Sequence, residues 1–395
     1  MRIYLNNNVF DEALERIRWL FDEFDNVVVS TSGGKDSAVI LNLALIVAKE
    51  KNRLPLKVMF LDQEAEWQAT IDYMRLVMND DRVEPFWIQS PFKIFNTTSI
   101  KEPWLHCWEE GGEWLREKED IAIHENNFNT DRFAKMFPAI MKWMFPDETA
   151  CFIGGVRAEE SPRRLAGMTL EATYKHITWG KVLDKKLKQF TFYPIYDWKT
   201  SDVWKAIQDN KWRYNNIYNK MYQHGVAVRD MRVSNLHHET AVHNLFFLHE
   251  LEPDTWQKLS SRIAGIHTTK HMKKSEMMAV KELPAMFASW KEYRDYLTDK
   301  LIEIEENRKK FHAKWARMDL VYNQLADESL VYKKQIASIL ANDWEFEKLK
   351  NFENSPTSIA YRKWKRGDLW IDNLDDPNLV YIKRDLLELS INARA

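Results

Sequence analysis

NVVVSTSGGKDS, running from Asn26 to Ser37, is the stretch whose reading decides the fold. Asn26 to Ser30 is short, apolar and β-branched, which reads as a buried strand. Ser32 to Ser37 follows that strand and opens a helical run from about Asp36 to Lys51. Such a corner suits an anion. Gly33 and Gly34 allow a tight backbone and close approach to a phosphate. The unpaired amides at the helix start point toward negative charge. The Ser32 and Ser37 hydroxyls add hydrogen bonds, and Lys35 adds a positive charge. The motif is not a Walker A loop, because Val29 stands where a glycine is required and Asp36, not Ser or Thr, follows Lys35. The bland alternative is an ordinary strand–turn–helix corner built from small residues.

Working outward, residues 9–24 place Val9, Ala13, Ile17, Leu20 and Phe24 on one face of an amphipathic helix. Lys57 to Leu61 predicts a second strand with Asp62 at its carboxyl end. Glu64 to Met78 is helical by period, and Val83 to Ile88 predicts a third strand. Strands alternating with helices predict an α/β fold, a doubly wound and mostly parallel sheet. Ligands of such sheets bind beyond the carboxyl ends of the strands. From Ser90 to Glu148 the alternation stops, and this Trp-rich, polar stretch reads as an insertion covering the sheet edge or the mouth of the site. Alternation resumes at Cys151–Gly154 and Phe190–Tyr193. A helix then runs from about Ser201 to Asn210, with Thr200 or Ser201 as its N-cap and Asp202 in its first turn. No strand is predicted beyond Leu236. The expected organisation is a nucleotide-binding domain over 1–235, with its insertion at about 90–148, and a mainly helical region over 236–395.

Composition narrows the partners. The formal net charge is −2, so no global basic field for nucleic acid exists. The two cysteines, Cys107 and Cys151, make no disulfide framework, and a reducing, cytoplasmic setting is expected. Met1 to Phe10 has no secretory pattern, and the longest apolar run, Ala38 to Ala48, is too short to span a bilayer. Trp104, Trp108 and Trp114 sit in polar sequence, which suits either a binding surface or plain packing. His237, His238, His243 and His249 lack the spacing of a metal motif. Lys270 to Lys274 is basic, but nearby acids balance it.

Two further blocks complete the pattern. Gly154-Gly155-Val156-Arg157-Ala158-Glu159-Glu160-Ser161-Pro162-Arg163-Arg164 resembles the G-x-R-x-x-E-S-x-x-R block of the phosphoadenosine phosphosulfate reductase family, within the PP-loop superfamily of HUP-like folds. Tyr193 to Trp204 resembles that family's P-[IL]-x-D-W-x-x-x-D-V-W block. The segment Tyr214-Asn215-Asn216-Ile217-Tyr218 and the helix before the loop resemble a subgroup of large prophage- and plasmid-borne co-activators that pair with a small ParB-like protein. The resemblance implies an adenine nucleotide, ATP or a sulfonucleotide, held by Ser32, Gly33, Gly34, Lys35, Asp36, Ser37, Asp62, Gly154, Arg157 and Arg164. It implies cleavage of ATP between the α and β phosphates with adenylyl transfer, with Lys35, Asp36 and Arg157 as catalytic residues and Asp36 as a ligand of Mg²⁺. An arginine fork grips phosphate oxygens in two places at once; a salt-bridge cluster with Glu159 and Glu160 is the alternative. For Asp62 the alternative is a turn-forming aspartate. Asp202 and Trp204 read more simply as a cap and a packing residue. Rival functions are a sulfonucleotide reductase and a nucleotide-sensing regulatory subunit acting with the ParB-like protein. The family's reductases carry a nucleophilic cysteine near the C-terminal end, and no cysteine follows Cys151 here. An iron–sulfur cluster, which needs about four thiolates, is not expected.

Overall fold

The computed structural model describes residues 6–95, 104–168, 172–233, 235–236, 242–262, 282–340, 343–371 and 373–392. His237, His238 and Lys270–Lys274 lie outside the described residues, as does the side chain of His243. The chain divides into two compact units, one of 1–94 with 106–262 and one of 95–105 with 263–395. The sequence reading draws the boundary at residue 235; contact density draws it after Arg262. The reason lies at the helix α3 (Gln68–Met78), whose first amides, Gln68 N and Ala69 N, donate to the buried Glu252 carboxylate at 2.7 and 3.0 Å. Helices α8 (Val242–Leu251) and α9 (Pro253–Arg262) flank that carboxylate and so belong with the first unit.

In the first unit, strands β1 (Asn26–Thr31), β2 (Leu56–Leu61) and β3 (Val83–Ile88) alternate with helices α1 (Val9–Glu23), α2 (Lys35–Glu50) and α3. Two short strands follow, β4 (Phe92–Phe95) and β5 (Trp104–Cys107), then helix α4 (Phe133–Met144). The sheet continues with β6 (Ala150–Ile153), β7 (Gly180–Asp184) and β8 (Gln189–Phe192), interrupted by α5 (Pro162–Gly167) and followed by α6 (Thr200–Asp209) and α7 (Ile217–Gln223). The strand order is β3-β2-β1-β6-β8-β7. All neighbours run parallel except β7 against β8. The doubly wound, mostly parallel sheet expected from the alternation is present. β1 and β6 are buried almost throughout, as a central parallel strand covered on both faces must be. The sequence reading missed β7 because GKVLD is a polar edge strand with exposed Lys181 and Val182, and edge strands carry little apolar signal.

Two helix starts differ from expectation. α3 begins at Gln68, not Glu64, because Glu64 has φ of 66°, which no right-handed helix tolerates. The cap of α6 is Lys199, whose amide donates to Asp202 Oδ2 at 2.7 Å, and Thr200 is the first helical residue. Trp198 is buried and donates to Val9 O at 3.0 Å, Asp197 pairs with Arg16 at 2.7 Å, and Trp204 packs edge-on to Tyr214 and Tyr218. These residues position the fold, as their plainer reading has it.

The insertion clamps the end of β2. Trp108 is fully buried, donating from its indole to Asp62 O at 2.8 Å and from its backbone to Glu64 Oε2 at 2.6 Å. It is therefore a packing residue. Among its described residues from 282 onward the second unit's regular structure is helical, from α10 (Trp290–Leu301) and α11 (Glu305–Val321) through α12 (Ser329–Leu340), α13 (Glu347–Glu353), α14 (Pro356–Lys365) and α15 (Arg384–Asn392). Phe311, Trp315 and Tyr361 lie in its core, where buried Arg294 pairs with Asp319 at 2.7 Å and Gln335 at 2.9 Å. Among the described residues no helix is long and apolar enough to cross a membrane.

Candidate functional site

The order of strands reverses direction between β1 and β6, and at their carboxyl ends the loops diverge to leave a crevice. The β1–α2 loop lines it. Gly33 has φ of 68°, and a Cβ there would stand 2.7 Å from Thr70 Cγ2. Gly34 caps α2. Ser37 Oγ donates to Gly34 O at 2.9 Å and accepts from Ser32 N at 3.3 Å, so the loop closes on itself. Two residues of the YNNIY segment brace it from outside. Asn215, fully buried, donates to Gly33 O at 3.1 Å and Thr70 Oγ1 at 2.8 Å. The Tyr218 hydroxyl accepts from Lys35 N at 3.0 Å. Burial pushes the Tyr218 phenol well above its usual range, so it stays neutral. Neither Asn215 nor Tyr218 was among the expected site residues; their only sequence signal was the resemblance of the segment that holds them.

The charges form one cluster. Lys35 is buried and not exposed as a surface lysine; its Nζ lies 3.0 Å from Asp36 Oδ2 and 5.4 Å from the centre of the Tyr218 ring. Asp36 Oδ1 accepts from Arg157 Nε at 2.5 Å. Arg157, 3% exposed, also donates to Glu159 Oε2 at 3.1 Å and Trp198 O at 3.4 Å. Glu159 in turn accepts from Thr200 N at 2.7 Å and Thr200 Oγ1 at 3.1 Å. Arg164 is different: its side chain is 45% exposed and pairs with Glu160. Both arginines are thus salt-bridged, with Arg157 built into the floor and Arg164 on the rim.

These elements enclose a cavity of about 1060 Å³. Of the expected residues, Ser32, Gly34, Lys35, Asp36, Ser37, Gly154, Arg157 and Arg164 line it. Gly33 shapes the loop from behind. A close approach not expected from sequence occurs at Gly155, where a Cβ would stand 2.7–2.8 Å from Asp36 C, Asp36 O and Ser37 N. At Gly154 the nearest atom is Tyr193 Cε1, at 3.4 Å. Asp62 is not brought to the site. It is fully buried, accepts from Trp87 Nε1 at 2.8 Å, Gln89 Nε2 at 2.9 Å and Glu64 N at 2.9 Å, and pairs with Arg116. Its carboxylate fastens the insertion to β2. Asp36 fits poorly as a Mg²⁺ ligand as it stands here, since each carboxylate oxygen already faces a cation.

Glu66 also lines the cavity. Burial, with Asp62 nearby, pushes its carboxyl up to about 8 from an ordinary 4.5, against a hydrogen bond from Asn235. The folded protein therefore holds a proton that the unfolded chain releases. The stability this protonation favours is fully present below pH 4.5 and is lost as pH rises through about 8. Glu66→Gln should remove that dependence. Melting curves should show the variant gaining on the parent between pH 5 and pH 8.5; parallel curves would mean that Glu66 is ionised throughout.

Neither cysteine lines the cavity. Cys107 and Cys151 are both buried, and burial raises both thiols.

A family model described as the phosphoadenosine phosphosulfate reductase domain matches residues 26–224, and a domain of unknown function matches residues 225–367. The uncharacterized protein YbdN of Escherichia coli K12 is 30% identical over 279 residues, covering 67% of this chain and 68% of that protein. An adenosine 5'-phosphosulfate reductase of Lysinibacillus sphaericus is 22% identical over 266 residues, 66% of this chain and 93% of that one. Among solved structures, a phosphoadenylyl-sulfate reductase from Candida auris aligns with a TM-score of 0.34 and 13% identity, covering 60% of this chain and 99% of that one. An FMN adenylyltransferase from Candida glabrata aligns with a TM-score of 0.33 and 11% identity, covering 55% of this chain and 62% of that one.

Proposed function

From the premise that the chain belongs to the phosphoadenosine phosphosulfate reductase domain family, we propose that it binds ATP and transfers the adenylyl group to an acceptor, releasing pyrophosphate. The observation that carries this reading is the cavity wall itself: a phosphate-binding loop, Lys35 and Arg157 stand on it, and no thiol does. The β and γ phosphates lie against the loop, where Ser32 donates its hydroxyl and Ser37 holds the turn closed. Lys35 and Arg157 face the departing pyrophosphate and offset its charge, with Asp36 and Glu159 as their own ionic partners. The site works by positioning and charge, without a covalent protein intermediate.

Lys35→Ala should lower ATP affinity at least tenfold, read as the loss of thermal stabilisation by ATP. The parent, at ATP a hundred times its dissociation constant, should gain about 2.7 kcal/mol. Pyrophosphate release from ATP, dependent on an added acceptor pool and absent in the variant, tests the transfer. ATP binding without pyrophosphate under any acceptor would favour a sensor whose output is a nucleotide-dependent complex with a ParB-like protein.

Reductive cleavage of a sulfonucleotide needs a thiolate to attack sulfur. With both thiols buried and raised, the expected result is no sulfite from either sulfonucleotide in the presence of thioredoxin or glutaredoxin. Sulfite release by the parent that vanishes in a Cys107→Ser, Cys151→Ser double variant would restore the reductase.

A further inference from the structure

The phosphate loop is surrounded by donors, and most of them are already in use. Lys35 Nζ faces Asp36 Oδ2 at 3.0 Å, and Arg157 is held by Asp36, Glu159 and Trp198 O. Ser37 Oγ donates to Gly34 O and accepts from Ser32 N. The hydroxyl of Tyr218 differs from all of these.

Tyr218 stands on α7 and lines the cavity, with 3% of its surface exposed. Its oxygen accepts from Lys35 N at 3.0 Å, and the Val233 amide also donates toward it. A phenol oxygen that receives two amides has its lone pairs occupied, so what it has left to offer is its proton. Burial keeps the phenol neutral, so that proton is present. Among the described residues nothing accepts it. Amides that donate to a hydroxyl oxygen also polarise its O–H bond and make it a stronger donor.

Packing leaves this hydroxyl little freedom. Trp204 meets the Tyr218 ring edge-on, with centroids 5.4 Å apart. Asn215 ties the start of α7 to the loop, its Oδ1 accepting from Ile217 N at 3.0 Å and its amide donating to Gly33 O at 3.1 Å. The hydroxyl is therefore held at a fixed point beside the start of α2. A Cβ built on Gly34 would stand 3.4 Å from Tyr218 Oη, 3.4 Å from Ser32 Oγ and 3.9 Å from Ser37 Oγ. Three hydroxyls thus surround the space that Gly34 leaves open. Ser37 has given its proton to Gly34 O, and Ser32 Oγ lies 3.4 Å from Ser37 Oγ. Tyr218 is the one of the three whose proton meets no described protein atom.

We infer that Tyr218 is a ligand-binding residue whose hydroxyl donates to a phosphoryl oxygen seated over Gly34, while its own oxygen keeps the Lys35 and Val233 amides. The loop holds that oxygen through a relay from amide to hydroxyl to phosphate, with an uncharged protein donor. The inference rests on the placement of phosphates against the loop in the reading above, and not on adenylyl transfer.

A donor and a mere brace respond oppositely to ionisation. A phenolate accepts from amides better than a phenol does, but it has no proton to give and repels an anion. The test replaces Tyr218 in the full chain by a trifluorotyrosine, whose phenol ionises at a much lower pH and whose fluorines report its charge by NMR. Binding of ATP and of inorganic pyrophosphate is measured by calorimetry as the pH rises through that ionisation, beside the parent at each pH. Relative to the parent, both affinities should fall about tenfold or more as the phenol ionises. Tyr218→Phe should weaken both ligands by about the same factor, and adenosine, which has no phosphate, by less than about twofold. Affinities that follow the parent while the phenol ionises, or a Tyr218→Phe protein that binds ATP as the parent does, overturn the inference. If the Phe variant does not fold, the fluorinated protein decides alone. A parent that binds neither ATP nor pyrophosphate removes this inference and the proposed function together. Pyrophosphate release judges the transfer separately: a Tyr218 effect on ATP binding in a protein that releases no pyrophosphate leaves the inference standing and removes the adenylyl transfer.

Discussion

Gly155→Ala is expected to weaken nucleotide binding about tenfold or more. A Cβ at 155 would stand 2.7 Å from Asp36 C, 2.8 Å from Asp36 O and 2.8 Å from Ser37 N. All three are backbone atoms of the first turn of α2, so no side chain can swing aside to relieve the contact. The turn must move, and with it the amides and hydroxyls that face the phosphates. Overpacking of this kind costs about 1–3 kcal/mol. Since about 1.4 kcal/mol is tenfold in affinity, even the lower figure is measurable, and displacement of the phosphate-facing groups adds to it. The neighbouring Gly154→Ala is the control. Its Cβ would meet the ring of Tyr193 at 3.4 Å and Thr191 Cγ2 at 4.0 Å, side-chain contacts that a small ring shift accommodates. Titration of both variants with ATP by calorimetry checks the contrast. Equal affinities in the two would mean that the close approach at Gly155 plays no part in shaping the loop.

Arg157→Ala is expected to unfold the first unit at a markedly lower temperature even without nucleotide. Arg157 is 3% exposed and ties Asp36, Glu159 and Trp198 O together. Breaking a buried ion pair by deleting one partner costs about 3–5 kcal/mol, because the other charge stays behind. Asp36 is partly exposed and keeps Lys35, so the lower end applies. A loss of about 3 kcal/mol lowers the melting temperature of a domain of this size by roughly 6–12 °C. Arg164→Ala, on the exposed rim, should change stability by about 0.5 kcal/mol or less. Melting of the nucleotide-free proteins separates the two. An Arg157→Ala protein as stable as the parent would show that the buried cluster contributes nothing net.

The site was legible in sequence where chemistry is local. The run from Asn26 to Ser37 states its own strand, turn and helix, because β-branched residues, two glycines and a polar helix start act within a dozen positions. The block from Gly154 to Arg164 could be placed near it only by resemblance. Which of its residues does what was not legible. Gly154 and Gly155 are identical letters, and only the approach of the segment after β6 to the start of α2 leaves one of them no room for a side chain. Asp62 illustrates the opposite error. It stands at the end of β2, where ligands gather in such folds, yet Arg116, Trp87 and Gln89 converge on it from other elements and leave it no role at the cavity.

The sequence by itself determined the alternation of strands and helices, the parallel sheet and the phosphate loop, because each depends on periodicity or turn chemistry within a few residues. It determined as well that no cysteine follows the last sheet strands. Only the tertiary structure decided that Lys35 is buried against Asp36 and Tyr218, and that Arg157 belongs to the floor and Arg164 to the rim. Those facts rest on burial and on pairs such as Asp36 with Arg157, 121 positions apart. The energy of a buried charge is set by what surrounds it, and those surroundings come from chain segments that no local pattern connects.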